Sequence, residues 1–191
     1  MKLKSTKLLF LYRSLLLCFL KFETDDDNLI TIVNALNIKN RKKRIEYIYD
    51  EAVKEINIYY KDDLCQFKNN KCIVQRKRND DRVNGCCYTC PNLGKKGCST
   101  INLPCKLVYC KTALKNMKKL KMNDIKILKC LSPLNRVILK GNCHFKREQI
   151  INDLYYGPLI APFRIFYRQI ILDTKLYKKS KKQNMWIYFV F

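Results

Sequence analysis

This chain of 191 residues is long enough for one domain, with or without appendages. Of its residues, 48% are hydrophobic, which is enough to bury a hydrophobic core. Five glycines and five prolines are few for this length, which disfavours a turn-rich all-β architecture and favours helices joined by short connections. The formal net charge is +23, but most of the basic residues are lysines spread along the whole chain, so charge alone does not predict a nucleic-acid binder.

The N-terminus superficially resembles a secretory signal peptide, with a basic stretch at 1–7 followed by an apolar run at 8–20. Arg13 and Ser14 interrupt the run, no A-x-A-like cleavage site follows, and Leu17 stands where a lipoprotein signal has a small residue before its cysteine. The run is also shorter than the ~20 residues that a membrane-spanning helix needs. These features predict a cytoplasmic protein without a transmembrane segment.

Helical patterns then follow, and they define a predicted N-terminal helical segment at 1–60. The acidic run 25–28 is typical of a helix start and predicts a short helix at 29–37. Asn40 is predicted to open a longer helix. Its core face repeats at the i, i+3, i+4 period through Ile45, Ile48, Tyr49, Ala52, Val53, Ile56, Tyr59 and Tyr60.

A cysteine-rich region at 61–112 interrupts this pattern, because the hydrophobic period is lost and turn residues such as Asn69-Asn70 appear. With few large aliphatic residues, we expect metal to replace a core here. Eight of the chain's eleven cysteines lie in the region. They are Cys65, Cys72, Cys86, Cys87, Cys90, Cys98, Cys105 and Cys110.

The spacing of these cysteines predicts metal ligation. Cys87 and Cys90 form the only C-x2-C, which lets two thiolates of one turn bind the same tetrahedral metal while the other ligands come from elsewhere. Cys86 is adjacent to Cys87, so their side chains diverge, which favours two sites over one. Four disulfides in a secreted protein are the alternative, but a cysteine cluster in a cytosolic chain favours metal.

The cluster resembles the cysteine-cluster protein family described as zinc- or iron-chelating. The resemblance covers about residues 65–110 and depends on Cys72, Gly85-Cys86-Cys87, Cys90-Pro91, Gly97-Cys98, Pro104-Cys105 and Tyr109-Cys110. That family usually has Arg-Pro before a C-x3-C near the end, whereas this chain has Leu103-Pro104 before a C-x4-C. The resemblance implies a metal-binding protein of unassigned activity. All-thiolate ligation suits both zinc and an iron–sulfur cluster, so the cofactor stays open between them.

The region 113–172 is predicted to be helical and to pack on the cluster. One helix is expected from Lys106 through Leu120 and a second at 123–131. Ser132-Pro133 predicts the start of a third, which ends at Gly141. Further helices are expected at 146–156 and at 163–172, the last of which would close the core. The tail at 173–191 is first basic and then apolar. The predicted fold is therefore mainly α, a helical scaffold around a loop-rich cysteine-cluster segment.

No phosphate-binding loop, nucleophile motif, zinc-protease motif or paired carboxylates occur in the sequence, which favours a protein that is not an enzyme. His144, the only histidine, follows Cys143, and this pair either completes a metal site or is structural. Cys18 and Cys130 are predicted to be structural thiols. The alternative function is a zinc-stapled nucleic-acid-binding protein, in which Arg76, Lys77 and Arg78 contact phosphates.

Overall fold

The architecture was obtained from a computed structural model, which describes residues 2–4, 21–60, 64–66, 68–69, 71–78, 93–94, 97–98, 102–114, 117–157, 159–160, 163–168, 170–171 and 174. This part of the chain is mainly helical, which confirms the predicted fold class. Its α-helices are α1 (Ile30–Asn37), α2 (Arg41–Tyr59), α3 (Ile73–Arg78), α4 (Leu103–Leu107), α5 (Lys111–Leu114), α6 (Pro133–Gly141) and α7 (Arg147–Tyr156). Two 3-10 helices lie at Asp27–Leu29 and Lys126–Cys130, and the strands β1 (Leu93–Gly94) and β2 (Gly97–Cys98) pair antiparallel.

Helix α2 is the centre of the fold and contacts α1, α4, α7 and the second 3-10 helix. It begins as predicted, because the Asn40 side chain accepts a hydrogen bond from the Lys43 amide at 3.0 Å. Its predicted core face is buried or packed on the core, with one exception. The prediction that Tyr59 is buried is wrong, because its ring is exposed at the end of the helix and its hydroxyl donates to the Lys118 carbonyl at 3.0 Å.

The single helix predicted from Lys106 through Leu120 is wrong, because the structure has two short helices, α4 and α5, followed by non-helical residues at 117–120. The cause is long-range hydrogen bonding. The Leu120 amide donates to the Tyr60 hydroxyl at 3.0 Å, and Tyr59 bonds to Lys118. These contacts fix residues 118–120 against the end of α2 and use backbone groups that a continuing helix would need.

The helix predicted at 123–131 is a 3-10 helix instead, at Lys126–Cys130. Its backbone bonds span three residues, from the Leu128 amide to Ile125 and from the Leu131 amide to Leu128. Ile125, Leu128 and Leu131 are nevertheless buried, as the pattern predicted. The core face was therefore identified correctly, and only the helix type was wrong.

Helices α6 and α7 have the predicted ends. Ser132 accepts a hydrogen bond from the Asn135 amide at 3.1 Å, Pro133 is the first residue of α6 and Gly141 is the last. Helix α7 stops at Gly157, whose φ of 73° is readily available only to glycine. No helix in the described part of the chain is long and apolar enough to span a membrane.

The core extends into the described ends of the region 61–112, which corrects the expectation that metal replaces a core throughout it. Ile73 and Val74 of α3 and Leu103 and Leu107 of α4 are all buried in the common core. The hydrophobic period of the sequence could not reveal these residues, because each of the two helices has only one or two turns.

A buried carboxyl lies where α7 meets the last helical residues. Asp153 is fully buried, and its Oδ2 accepts a hydrogen bond from Arg168 Nη1 at 2.6 Å. Among the described residues, its Oδ1 has no hydrogen-bond partner. Burial raises the pKa of this carboxyl above its ordinary value and outweighs the opposing charges of Arg168 and Arg164.

This pKa predicts how stability depends on pH. Because the folded-state pKa of Asp153 exceeds the unfolded value of about 3.9, the proton stabilises the fold fully below about pH 4, and this contribution is lost as the pH rises through the folded pKa. We expect the wild type to lose stability relative to Asp153→Asn as the pH rises from about 4 towards neutrality, measured by urea unfolding. A wild-type advantage that grows with pH would show instead that the charge of Arg168 outweighs burial and lowers the pKa of Asp153.

Candidate metal centre

The described residues include half of the predicted ligands with their side chains. Cys65, Cys72, Cys105 and Cys110 are all half-buried. Cys98 is described through its backbone in β2 alone. The other three predicted ligands, Cys86, Cys87 and Cys90, and the structural thiol Cys18, lie outside the described residues.

Cys65 and Cys72 lie at the two ends of one tight loop. The Cys65 carbonyl accepts a hydrogen bond from the Ile73 amide at 2.9 Å, which closes the loop at its base. Lys68 and Lys71 exchange two backbone hydrogen bonds of 3.0 Å inside it. Cys65 and Cys72 are therefore close in space, although they are separated in the sequence.

The loop owes its shape to two backbone positions with positive φ, Gln66 at 44° and Asn69 at 50°. Asn69 thus lies in the turn that the sequence predicted. The side chain of Arg76 in α3 reaches back and donates to the Gln66 carbonyl at 2.6 Å. This contact ties the loop to α3 and keeps it closed through protein contacts.

Cys110 directly precedes α5, and its Sγ accepts a hydrogen bond from the Ala113 amide at 3.4 Å. Helix α5 contacts α3, the helix that Cys72 directly precedes. Cys72 and Cys110 also pack against the hydrophobic core. Cys72 and Cys110 therefore directly precede two helices that contact each other, and Cys65 is bonded to the first residue of α3; the three side chains are nevertheless not placed as one metal-binding group.

Cys105 has different surroundings, although only four residues separate it from Cys110. It lies in α4, and its Sγ donates to the carbonyl of Cys143, in the turn that connects α6 with α7. The structure therefore brings Cys105 beside the Cys143-His144 pair and does not place it at the contact between α3 and α5. Sequence spacing could not predict this separation, because it depends on a partner 38 residues away.

Asn102 fixes the start of α4, and the sequence analysis missed it. Its buried side chain accepts from the Cys105 amide at 2.9 Å and donates to the carbonyls of Cys143 at 3.1 Å and Phe145 at 2.6 Å. A helix-capping residue before Leu103-Pro104 was a readable signal, but the contacts with 143–145 were not.

Tyr49 of α2 also holds the start of α4 in place. Its buried hydroxyl accepts a hydrogen bond from the Leu103 amide at 3.1 Å, and burial raises the pKa of this hydroxyl above its ordinary value. The guanidinium of Arg147 lies 5.9 Å from the ring centroid and forms two hydrogen bonds to Asp50, of 2.8 and 2.6 Å. The sequence placed Tyr49 in the core correctly, but it did not reveal that the hydroxyl anchors α4.

A short hairpin lies between α3 and α4. Cys98 pairs with Leu93 and Gly97 pairs with Gly94, so the chain reverses between the two strands. This reversal places the backbone of Cys98 beside a residue only three positions after Cys90.

The described residues contain no group of three or more His, Cys, Asp or Glu side chains placed to hold a metal ion. The side chains of four of the eight predicted ligands lie among these residues. Among the predicted ligands, the described part supplies four thiol side chains, a donor type that fits zinc and iron–sulfur chemistry.

The residues proposed for nucleic-acid contact divide into separate environments. Arg76 is exposed, but it already bonds the Gln66 carbonyl and so has a structural role. Lys77 is exposed, and the side chain of Arg78 lies outside the described atoms. The nucleic-acid function stays a prediction.

No protein-family model, no curated protein and no solved structure matches this chain.

Proposed function

We propose that this chain is a cytoplasmic metal-binding protein whose cysteines in 65–110 hold either zinc or an iron–sulfur cluster. The observation that supports this most directly is that a backbone hydrogen bond from Ile73 to Cys65 brings Cys65 and Cys72 together at the base of one loop. The chain leaves α3 and returns at α4, and the intervening residues 79–101 contain the C-x2-C. Ligands that the C-x2-C lacks are thus available at the base of the same segment.

Cys87 and Cys90 would supply two thiolates to one site, and the thiols at the α3–α5 contact would supply others. Cys105 would have to lose its proton and its hydrogen bond to the Cys143 carbonyl before ligating, since only the thiolate binds metal. Bound zinc would supply folding energy to the segment, whereas an iron–sulfur cluster would also accept and donate electrons. A cytoplasmic location fits either, because thiols stay reduced there.

The contacts around the base favour a structural site. The Cys65–Cys72 loop is closed by backbone hydrogen bonds and by Arg76, and α4 is fixed by Asn102 and Tyr49. Protein contacts therefore hold the Cys65–Cys72 loop and α4 in place, and a bound metal would add ligand bonds to the C-x2-C that lies between them in the sequence. A structural metal site on a helical scaffold requires such an arrangement, in which the helices are held by protein contacts and the metal stabilises the segment between them.

Anaerobic purification followed by elemental analysis and an absorbance spectrum tests the proposal. We expect either colourless protein with about two zinc ions, since structural zinc takes four ligands each, or brown protein with iron and visible absorbance. Removal of the metal by a chelator should increase protease cleavage within 79–101. A metal-free chain whose cysteines are joined in disulfides would overturn the proposal.

A further inference from the structure

The last described helical residues carry apolar side chains on their exposed side. Residues 163–168, 170–171 and 174 have helical backbone, and we call them the terminal helical segment. The sequence predicted that its apolar residues would close the core, but this is wrong. Five of its large apolar side chains are exposed, with Phe163 77% and Phe166 68% accessible. We call the exposed set the outer face, and it comprises Phe163, Phe166, Tyr167, Ile170 and Ile171.

The opposite face holds the segment on the body through its arginines. Arg168 forms the ion pair with the buried Asp153 and lies 5.4 Å from the Phe145 ring centroid. Arg164 lies 4.6 Å from the ring centroid of Tyr156, and Ile165 packs against the core. These contacts fix which side of the segment faces inward, so the apolar side must face outward.

The outer face is continuous. At about 100° per residue, its five side chains fall within an arc of roughly 140°. Leu159 and Ile160, just before the segment, are exposed as well. Single exposed apolar residues are ordinary on protein surfaces, but a contiguous aromatic and aliphatic patch of this kind marks an interaction surface.

The charge of the sequence that follows the outer face indicates what this face contacts. The sequence that follows it contains five lysines in eight residues, Lys175, Lys178, Lys179, Lys181 and Lys182. A second copy of this chain would carry the same +23 charge and would be repelled, whereas an anionic surface would be attracted. Aromatic and aliphatic residues beside clustered lysines are the combination that binds anionic lipid headgroups and enters the outer acyl region.

We propose that the outer face is a peripheral membrane-binding surface for bilayers that contain anionic lipids. The apolar side chains enter the interface, and the lysines that follow the segment in the sequence add a charge that favours anionic headgroups. The contact is with one leaflet, as for an amphipathic helix that lies in the membrane interface. The inner-face ion pair of Arg168 with Asp153 keeps the apolar residues oriented towards the lipid.

Co-sedimentation of the full chain with vesicles tests the proposal. We expect binding to vesicles of phosphatidylcholine mixed with phosphatidylserine, weaker binding to phosphatidylcholine alone, and loss of binding as salt rises. The double variant Phe163→Ser/Phe166→Ser should bind the anionic vesicles at least about tenfold more weakly, because it removes two large apolar contacts. The matched control Ile58→Ser/Val137→Ser changes two exposed residues elsewhere, on α2 and α6, and should bind like the wild type.

Three results would overturn the proposal. The first is that the wild type fails to bind anionic vesicles. The second is that the Phe163/Phe166 variant binds them as tightly as the wild type, because lysine charge alone would then explain the binding. The third is self-association in sedimentation equilibrium that the same variant abolishes, without vesicle binding, which would make the outer face a contact between copies. Circular dichroism of each variant confirms that the helical body is retained.

Discussion

Replacing Cys87 with serine is expected to remove bound metal and to unfold the surrounding residues while the helical body stays folded. The substitution deletes one of the two thiolates of the C-x2-C, and a structural zinc site contributes about 10–16 kcal/mol of folding free energy. The helical body should persist because its core is formed by α1, α2, α6, α7 and the second 3-10 helix, with their own buried side chains. Metal analysis, circular dichroism and limited proteolysis measure the three effects separately.

Cys130→Ser is the matched control for this experiment. Cys130 is half-buried at the end of the second 3-10 helix and packs against the core, as a structural thiol would. Its replacement should cost on the order of 1 kcal/mol of stability and leave the metal content unchanged. If Cys87→Ser kept its full metal while Cys130→Ser lost it, the assignment of ligands to 65–110 would be wrong.

Truncation of Ile56 to alanine is expected to destabilise the whole helical body by about 2–5 kcal/mol, because it creates a cavity in the middle of the core. Ile56 lies on the buried face of α2 and is 0% exposed. Urea unfolding followed by circular dichroism measures the loss.

The same helix provides the control, because Ile58 is the same residue type two positions later and is 72% exposed. Ile58→Ala should change stability by no more than about 0.5 kcal/mol. Equal effects of the two truncations would mean that α2 does not present its Ile56 face to the core.

Local signals explain where prediction from sequence succeeded. Helix α2 follows from one capping residue, Asn40, and a long apolar period, and both act within the helix itself. Helix α6 follows from Ser132-Pro133 and Gly141 for the same reason. These elements could be read because the groups that determine them are neighbours in the chain.

The failures have the opposite cause. Residues 118–120 are fixed by tyrosines about 60 positions earlier, and the orientation of the terminal helical segment depends on Asp153 in another helix. In the candidate site, spacing identified thiols suited to metal but could not show that Cys105 and Cys110 have different neighbours. No periodic pattern encodes such contacts, since each depends on where the whole chain brings a distant residue.

The anchoring of α4 by Tyr49 and Asn102 has a thermodynamic consequence. Residues 79–101 connect α3 with α4, and both helices pack into the common core, so the entropy lost in bringing the ends of this segment together is already lost when the core forms. If the chain binds metal as proposed, its metal affinity and its global stability are linked, because whatever loosens the core separates the ends of this segment and would weaken the site. A fragment limited to 61–112 lacks both Tyr49 and the carbonyl of Phe145, and it would therefore bind metal less tightly than the same cysteines do in the full chain.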